Sequence, residues 1–414
     1  MKKNDRIRLF ITDIGTDGEG IGRYEGYAFF VKDAVIGDEV EAVITKMNKN
    51  YGFAKTLNVI TPSQFRTSPP CPNAGRCGGC QIMQMDYGRQ LAYKESKVRN
   101  NLERIGSLKN PPLKPVIGME EAVPLHFRNK VQFPVGTDPE GNAVTGFYAG
   151  RTHYIVGTDS CPVSAEITDR ILKAVRDFVN EQDLPVYDEK TGKGLLRHIL
   201  IRTGTYTGQV MVCLVINGDS LSGKEDLLVS ALKDAFPEIT SICLNSNKQN
   251  TNVILGNQVI CLYGEDHIED RIGDLTFRIS PLSFYQVNPI QTEKLYKKAL
   301  EYASLTGEET VWDLYCGIGT ISLFLARQAK QVYGVEIIPA AISNAEDNAS
   351  LNHISNARFF CGASEKIFPE MMSNNNMRAD VVVLDPPRKG CDKALLDAIL
   401  EQEPDRIVYV SCDS

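Results

Sequence analysis

The alternation of strand-like and helix-like segments after residue 280 constrains the fold of this 414-residue chain more than any other feature. Short apolar runs of strand length alternate with longer segments of helical periodicity. The strand-like runs lie at 310–314, 331–335, 358–361, 380–384 and 407–410. This order predicts an open, parallel α/β sheet with helices on both faces. Ligands of such sheets bind beyond the carboxyl ends of the strands, so the residues that follow each strand are the candidates for chemistry.

The first two strand ends carry the pattern of a nucleotide-binding loop. Gly317 and Gly319 follow the first strand and let a ligand approach the backbone, and Glu336, which ends the next strand, can accept hydrogen bonds from both hydroxyls of a ribose. Ser322 stands where dinucleotide-binding loops have a third glycine, so the pattern favours a single adenosine cofactor such as S-adenosylmethionine. The alternative is an ordinary strand–helix turn followed by a surface glutamate.

The last two strand ends carry a carboxylate and a thiol. Asp385-Pro-Pro-Arg388 fixes a carboxylate on a rigid turn, and Arg388 replaces the aromatic residue that amino-methyltransferases have in a similar loop. Cys412 is therefore predicted to act on a different target, by adding to C6 of a pyrimidine so that C5 can accept a methyl group. A thiolate is required, so we expect a positive charge or a hydrogen-bond donor near it. The alternative is an unreactive cysteine buried in the strand.

Four of the eleven cysteines have the spacing of a metal site. Cys71, Cys77 and Cys80 form a C-x5-C-x2-C pattern, and Cys161 precedes a proline further along the chain. A single C-x2-C pair with a distant Cys-Pro favours a [4Fe–4S] cluster over zinc, which usually takes two such pairs. Zinc and unligated loop cysteines remain open as alternatives. Three cysteines in apolar strand-like runs are expected to be buried: Cys213, Cys243 and Cys261.

The first 280 residues predict two further modules. Glycine-rich β segments between Ile7 and Val59 predict a five-stranded barrel of the OB type, with a generic all-β module as the alternative. An amphipathic helix is predicted at Tyr87–Ile105, and a mostly antiparallel sheet in the segment up to Leu244. A strand predicted at His126–Phe133 presents three polar residues on one side, where they suit contact with phosphate or form a solvated face: Arg128, Lys130 and Gln132.

Charge and hydropathy narrow the class of protein. A net charge of −7 argues against indiscriminate binding of nucleic acid, but basic residues outnumber acidic ones between Arg89 and Lys130. No apolar run approaches the length of a membrane span, and no signal-peptide core follows Met1. We therefore expect a cytoplasmic protein that does not contact a membrane.

Taken in order, these motifs resemble the RNA (uracil-5-)-methyltransferase family, in particular its iron–sulfur branch that acts on 23S ribosomal RNA. The resemblance covers essentially the whole chain, from the first module to Val410-Ser-Cys412. It implies a multidomain protein whose OB-like barrel, a TRAM domain, spans residues 1–62. An α+β central domain with the iron–sulfur site would follow at 63–93 and 126–279. A Rossmann-like S-adenosylmethionine-dependent methyltransferase domain would comprise 94–125 and 280–414.

The resemblance also implies roles for individual residues. S-adenosylmethionine would be bound by Gln286, Tyr315, Thr320, Glu336 and Asp385, with Thr320 standing where relatives often have asparagine. A [4Fe–4S] cluster would be held by Cys71, Cys77, Cys80 and Cys161. Cys412 would be the nucleophile towards a uridine in a single-stranded or loop region of 23S ribosomal RNA. RNA would be contacted by Arg128, Lys130, Gln132 and Arg388, and the protein would be a monomer.

The sequence departs from the family after the Ser-Cys motif. The family continues with Asn-Pro, further strands and a glutamate that serves as general base for the C5 proton, whereas here only Asp413 and Ser414 follow. We therefore expect the sequence to be a shortened form of a longer protein that cannot complete turnover alone. The alternatives are a transfer RNA uracil-5-methyltransferase, whose branch lacks the cluster cysteines, and an inactive RNA-binding protein with a cluster or zinc. A radical S-adenosylmethionine enzyme requires a C-x3-C-x2-C pattern, which differs from this one.

Overall fold

A computed structural model describes residues 1–374 and 377–412 of the chain, in two compact units. Unit 1 comprises Met1–His126 and Val144–Asp169, and unit 2 comprises Phe127–Ala143 and the described residues from Arg170 onward. Residues 94–125 fall in unit 1. The finer division into three domains stays a prediction. Asp413 and Ser414, which follow the predicted nucleophile, lie outside the described residues.

The strands and helices are numbered in chain order. The strands are β1 Arg6–Ile14, β2 Gly20–Tyr24, β3 Tyr27–Lys32, β4 Glu39–Met47, β5 Tyr51–Thr61, β6 Lys130–Thr137, β7 Ala143–Tyr148, β8 Ile155–Gly157, β9 Leu196–Thr203, β10 Val210–Ile216, β11 Ile239–Ser246, β12 Gln258–Gly264, β13 Ile268–Ile272, β14 Leu275–Ile279, β15 Thr310–Leu314, β16 Gln331–Glu336, β17 Ala357–Cys361, β18 Val381–Leu384 and β19 Arg406–Tyr409. The helices are α1 Tyr87–Arg104, α2 Ile167–Glu181, α3 Glu225–Ala235, α4 Pro289–Ala303, α5 Thr320–Ala326, α6 Pro339–Leu351, α7 Ser364–Asn374 and α8 Lys393–Gln402. No described helix is both long and apolar enough to cross a membrane.

Unit 1 begins with a closed five-stranded barrel, as the sequence predicted, and its strands have the order β1-β2-β3-β5-β4. Alternate residues of β1, Ile7, Leu9 and Ile11, are buried in its core, because successive side chains of a strand point to opposite faces. Gly22 of β2 permits the close approach of β1, since a Cβ there would lie 2.5 Å from Leu9 Cδ1. Gly22 is therefore a packing requirement of the barrel.

The helix α1 follows in unit 1, close to its predicted position. Asp86 caps its first turn by accepting a hydrogen bond from the Arg89 amide at 2.9 Å. The helix ends at Arg104, one residue before the prediction, and Ile105 is 80% exposed. None of its residues is fully buried, so the apolar face that the sequence pattern suggested is only partly covered within the described structure.

A sheet of unit 2 contains the strands β12-β11-β10-β9-β6 in that order. Only the β10–β11 pair among these is parallel, which confirms the predicted mostly antiparallel sheet. The predicted strand at His126–Phe133 begins later, at Lys130, and that boundary was wrong. His126 has φ of +53°, outside the β region, and the Asn129 amide donates to Val287 O instead of to a neighbouring strand.

The cysteines of this sheet correct one prediction. Cys213 and Cys243 lie on the central strands β10 and β11 and are buried, as expected. Cys261 is exposed, and the expectation that it is buried was wrong. It lies on β12, which ends the order of strands and pairs only with β11, so its side chain is not covered by a further strand.

The parallel sheet of unit 2 has the order β17-β16-β15-β18-β19, and every neighbouring pair is parallel. Alternate residues of β15 enter two different cores, Val311 on one face and Trp312 on the other. Burial on both faces explains why the central strands β15 and β18 are continuous apolar runs in the sequence. The helix α7 was not predicted, and it contains Pro369, a residue that usually breaks the helical pattern.

Candidate active site

The strand ends singled out in the sequence lie side by side at the carboxyl edge of the parallel sheet. The strand order reverses between β15 and β18, and ligands of open α/β sheets bind at such a reversal. β15 is followed by a loop, residues 315–319, and β18 by Asp385. On the two outer sides, β16 ends in Glu336 and Cys412 follows β19. Four separate segments of sequence thus contribute to one edge.

The loop after β15 is held by main-chain hydrogen bonds and by Glu336. The amides of Tyr315 and Cys316 donate to Val335 O at 2.9 and 3.0 Å, and the Gly317 amide donates to Glu336 Oε2 at 3.2 Å. Gly317 has φ of +57°, and a Cβ there would meet nothing within 4 Å. The glycine is therefore required by its backbone conformation, and the space in front of it is open.

Glu336 also fixes the start of the helix that follows it. Its Oε1 accepts a hydrogen bond from the Ile338 amide at 3.0 Å, just before α6 begins at Pro339. A carboxylate can accept about four hydrogen bonds, so two of these positions remain for ligand hydroxyls. The arrangement fits the predicted contact with a ribose.

Two aspartates near this edge have raised pKa values. Asp313 on β15 is completely buried, and burial, with Asp385 and Glu336 adding to it, raises its pKa to about 7. Ser322 Oγ donates to Asp313 Oδ2 at 2.5 Å, while Oδ1 has no hydrogen-bond partner among the described residues. Burial raises the pKa of Asp385 to about 6. Sequence analysis missed Asp313, although an aspartate inside an apolar strand was a signal.

The remaining predicted cofactor residues, Thr320, Tyr315 and Gln286, lie in the segments around α4 and α5. Thr320 Oγ1 and Tyr296 OH lie 2.9 Å apart, which ties the first residue of α5 to the buried Tyr296 of α4. Tyr315 has φ of +71°, and burial together with the neighbouring Cys391 raises the pKa of its hydroxyl. The fifth predicted cofactor residue, Gln286, lies half-buried in the loop that precedes α4.

Cys412 is exposed, so the alternative of a buried strand cysteine was wrong. It lies beyond β19, whose neighbour in the sheet is β18, the strand that leads to Asp385. The Val410 amide donates to Leu384 O at 2.7 Å, which continues the pairing of the two strands to their ends. The thiol and the Asp385 carboxylate therefore follow adjacent parallel strands.

The residues predicted to contact RNA are partly brought together. Lys130 and Gln132 are half-buried and alternate with buried residues on β6, as predicted, and Arg128 lies half-buried two residues before the strand begins. Burial, together with Arg202 and Arg128, lowers the pKa of Lys130 to about 8. Arg388 lies elsewhere, exposed in the loop after β18. Arg202, which was missed, pairs in register with Lys130 and is buried.

The four cysteines predicted to hold a cluster all lie in unit 1 and are half-buried. Burial raises the pKa of the Cys77 thiol, and Cys161 and Cys71 raise it further, so these three sulfurs are near one another. The Gly79 amide donates to Cys77 Sγ at 3.3 Å. Across residues 1–374 and 377–412, however, no group of three or more His, Cys, Asp or Glu side chains is arranged to hold a metal ion. The donor atoms fit a cluster chemically, and the cluster itself stays a prediction.

Comparison with known proteins identifies the family. Residues 204–414 match the tRNA (Uracil-5-)-methyltransferase family, and residues 2–57 match the TRAM domain. A protein of Clostridium tetani described as an uncharacterized RNA methyltransferase is 49% identical over 413 residues, which are 100% of this chain and 88% of that protein. A protein of the same description from Halalkalibacterium halodurans is 48% identical, over 100% of this chain and 89% of its own. The chain belongs to the RNA (uracil-5-)-methyltransferase family.

A solved structure gives the same result. This methyltransferase is similar to Pyrococcus abyssi tRNA (uracil-54, C5)-methyltransferase in complex with S-adenosyl-L-homocysteine, with a TM-score of 0.77 and 25% identity. The match covers 98% of this chain and 91% of the Pyrococcus chain. The barrel of unit 1 is thus a TRAM domain, and the parallel sheet of unit 2 belongs to a methyltransferase whose methyl donor is S-adenosylmethionine.

Proposed function

We propose that this methyltransferase transfers a methyl group from S-adenosylmethionine to C5 of a uridine in 23S ribosomal RNA. The observation that carries the proposal is the edge of the parallel sheet, where the exposed Cys412 and the Asp385 carboxylate follow neighbouring strands next to Glu336 and the open Gly317 loop. A thiol close to a cofactor loop is the combination that C5 methylation of a pyrimidine requires, because C5 is otherwise a weak nucleophile.

The chemical steps follow from the properties of the thiol. The Cys412 thiolate adds to C6, and the electron pair of the C5–C6 π bond moves to C5 and the C4 oxygen as an enolate. C5 then attacks the methyl carbon of the sulfonium, whose bond to sulfur breaks to leave S-adenosylhomocysteine. A base removes the C5 proton, the C5–C6 double bond forms again, and the Cys412 sulfur leaves. The resemblance assigns that base to a glutamate that follows the Ser-Cys motif in the family.

A covalent trap tests the nucleophile. RNA that contains 5-fluorouridine has no C5 proton to lose, so wild-type protein with S-adenosylmethionine should form an adduct that survives denaturing electrophoresis. Cys412→Ala should form none. Cys361→Ala is a matched control, because Cys361 is also exposed and ends β17 of the same sheet. An adduct with Cys412→Ala, or its loss with Cys361→Ala, would contradict the assignment.

The roles of the other site residues rest on the same edge. We assign Gln286, Tyr315, Thr320, Glu336 and Asp385 to the cofactor, with Glu336 on the ribose hydroxyls. Calorimetric titration with S-adenosylmethionine tests this, since Glu336→Gln should weaken binding. Glu346→Gln, which changes an exposed glutamate of α6, should not. Equal affinities of the two variants would argue against the ribose contact.

The RNA target distinguishes two candidate functions. The C-x5-C-x2-C pattern with Cys161 supports ribosomal RNA, while the likeness to the Pyrococcus enzyme, whose name specifies uracil-54 of tRNA, favours transfer RNA. Mapping of 5-methyluridine in 23S ribosomal RNA and in transfer RNA, from cells with and without the gene, separates them. Loss confined to transfer RNA would reject the ribosomal target.

We also propose that Cys71, Cys77, Cys80 and Cys161 hold a [4Fe–4S] cluster. C5 methylation by this route requires no electrons, so the cluster would order unit 1 and not act in redox chemistry. Anaerobically purified protein should absorb broadly in the visible range through sulfur-to-iron charge transfer, which zinc does not produce. Cys80→Ser should lose this absorption, and Cys261→Ser should keep it. A colourless protein that contains zinc would overturn the cluster.

The basic residues Arg128, Lys130, Gln132 and Arg388 are proposed to contact RNA phosphates and bases. Support comes from the half-buried Lys130 on β6, whose pKa is lowered by burial and by two neighbouring cations, Arg202 on β9 and Arg128 just before β6. We further propose that the protein acts as a monomer in the cytoplasm. Light scattering of the purified protein tests the first statement and fractionation of cells the second.

A further inference from the structure

The loop that carries Gln286 contains neither helix nor strand. We call residues 280–288 the Gln286 loop; it connects β14 to α4. Such a segment has no regular partners for its carbonyl groups, and a loop residue can contact a cofactor with a defined geometry only if its backbone is fixed from outside. The structure contains two buried side chains that do so, Arg202 and Asn129, neither of which has an assigned role.

Arg202 binds the first half of the Gln286 loop. It lies on β9, is 2% exposed, and donates from Nη2 to Ser283 O and, at 3.4 Å, to Pro281 O. No described carboxylate forms an ion pair with it, and burial lowers its pKa to about 10. A buried cation that lacks a carboxylate partner is unfavourable for stability. The hydrogen bonds that its Nη2 donates are instead made to carbonyl groups of the Gln286 loop.

Asn129 binds the second half of the loop. Its Nδ2 donates to Gln286 O at 3.0 Å, and its main-chain amide donates to Val287 O at 3.0 Å. Asn129 directly precedes Lys130, the residue that pairs with Arg202 across β6 and β9. Arg202 on β9 and Asn129 just before β6 therefore face one loop, and together they bind the carbonyl groups of residues 281, 283, 286 and 287.

The loop is also tied to the parallel sheet on its other side. Ser283 Oγ accepts a hydrogen bond from Asn344 Nδ2 at 3.3 Å, and Asn344 lies on α6, the helix that follows Glu336. Asn288 caps α4 by accepting from the Gln291 amide at 3.1 Å. The backbone of Gln286 is thus held between the strands β6 and β9 and the helices at the cofactor edge.

We propose that Arg202 and Asn129 are positioning residues for S-adenosylmethionine binding, which act by fixing the backbone of Gln286. The inference rests on the proposed role of Gln286 as a cofactor ligand. Neither side chain touches the cofactor edge directly, so removal of either should weaken cofactor binding by letting the loop adopt other conformations. A buried residue that serves the fold alone would lower stability without this selective effect.

The chain offers matched controls on the same strand. Arg197 is also on β9, is 5% exposed, and donates to Asn247 O at 2.7 Å and Gln249 O at 2.8 Å. Asn247 is buried and its Nδ2 donates to Val253 O and Ile254 O at 2.7 and 2.9 Å. The carbonyl groups that these two residues bind belong to residues 247–254, a segment without any predicted site residue.

The test compares cofactor affinity with thermal stability in the full chain. Asn129→Ala and Arg202→Met should each bind S-adenosylmethionine about ten-fold more weakly by calorimetry. Asn247→Ala and Arg197→Met should lower the unfolding midpoint about as much as Asn129→Ala and Arg202→Met do. They should nevertheless bind the cofactor within about two-fold of wild type. Arg202→Lys, which keeps a cationic donor, should restore part of the affinity.

The outcomes separate this inference from the proposed function. If the wild-type chain does not bind S-adenosylmethionine, the proposed function fails. If wild type binds it and Asn129→Ala binds equally well, or if the control variants lose as much affinity, the positioning role alone is rejected. Should Arg202→Met fail to fold, the pair Asn129→Ala and Asn247→Ala decides the question, since each removes only one neutral amide.

Discussion

Replacing Asp313 by asparagine should stabilise the protein, and the gain should grow as the pH rises. Asp313 is completely buried on β15, and only one of its oxygens has a hydrogen-bond partner among the described residues, Ser322 Oγ. Its pKa of about 7 lies well above the ordinary value of 3.8, first because of burial and then because Asp385 and Glu336 are near. Asparagine has nearly the same shape, can accept the same hydrogen bond and carries no charge.

The sign follows from where the proton is held. The folded protein retains a proton on Asp313 that the unfolded chain releases above its ordinary pKa, so the unfolding free energy falls as the pH rises from about 4 to about 7. The full difference corresponds to roughly 4 kcal/mol at 1.36 kcal/mol per pKa unit. Of this, about 2 kcal/mol is lost between pH 5.5 and pH 8.

Differential scanning fluorimetry of wild type and Asp313→Asn from pH 5.5 to pH 8 measures this effect. The variant should unfold at a higher temperature, and the difference should widen by about 4–8 °C across the range, at 2–4 °C per kcal/mol. Asp347→Asn is the control, because it removes an exposed carboxylate of α6 and changes the net charge equally. A variant that is less stable than wild type at pH 8, or a difference that does not change with pH, would refute the argument.

Four further predictions concern other parts of the structure. Gly317→Ala should lower the unfolding midpoint by about 2–4 °C, because φ of +57° costs a residue with a Cβ about 1 kcal/mol. This cost is conformational, since a Cβ at this position would meet no atom within 4 Å. An unchanged midpoint would contradict the prediction. Lys130→Ala should reduce the slope of log affinity for RNA against log salt by roughly 0.7–0.9 at pH 7, where Lys130 is charged, and by less above its pKa of about 8. Cys213→Ser should lower stability by about 1–3 kcal/mol because it buries a hydroxyl, whereas Cys261→Ser on the exposed edge strand should leave the denaturant midpoint unchanged. If the Asp385 carboxylate lies near the sulfonium, the affinity for S-adenosylmethionine should rise between pH 5.5 and pH 7.5 as Asp385 ionises. The affinity for S-adenosylhomocysteine, which lacks the sulfonium charge, should rise less. Equal pH profiles of the two affinities by calorimetry would argue against this position of the carboxylate.

The parallel sheet could be predicted from the sequence because its central strands, β15 and β18, are buried on both faces. β15 was predicted at its observed bounds, and β16 and β18 within one residue at either end. Both faces of a central strand pack against apolar layers, so an apolar side chain is favoured at every position of the strand. The helix α7 was missed for the opposite reason. Its local pattern, interrupted by Pro369, is overridden by tertiary packing in which Phe368 and Met372 enter the core.

Long-range contacts explain what the sequence could not predict. Cys213 and Cys261 lie in similar apolar runs, and only the position of each strand in the sheet decides that the first is buried and the second exposed. Arg202 stands near the end of β9 as one more basic residue in the sequence, and its partners are the carbonyl groups of a loop about 80 positions later. The positions of Glu336, Asp385 and Cys412 at the carboxyl edge, by contrast, could be predicted, because each lies at or just after the end of a predicted strand.

Two energetically unfavourable buried groups of unit 2 lie in or beside the proposed site. Asp313 is a buried acid with an unpartnered oxygen at the cofactor edge, and Arg202 is a buried cation without a carboxylate, bound to the Gln286 loop. Asp313 and Arg202 do not neutralise each other. The pKa of Asp313 is raised by burial and by the neighbouring Asp385 and Glu336. Arg202 interacts instead with Cys213 and Tyr285. Apolar residues at both positions would make a more stable fold. Burial alone assigns no role, because Arg197 and Asp270 are buried as well. Asp313 and Arg202 differ from them in their surroundings, since Asp385, Glu336 and the Gln286 loop carry the proposed cofactor residues.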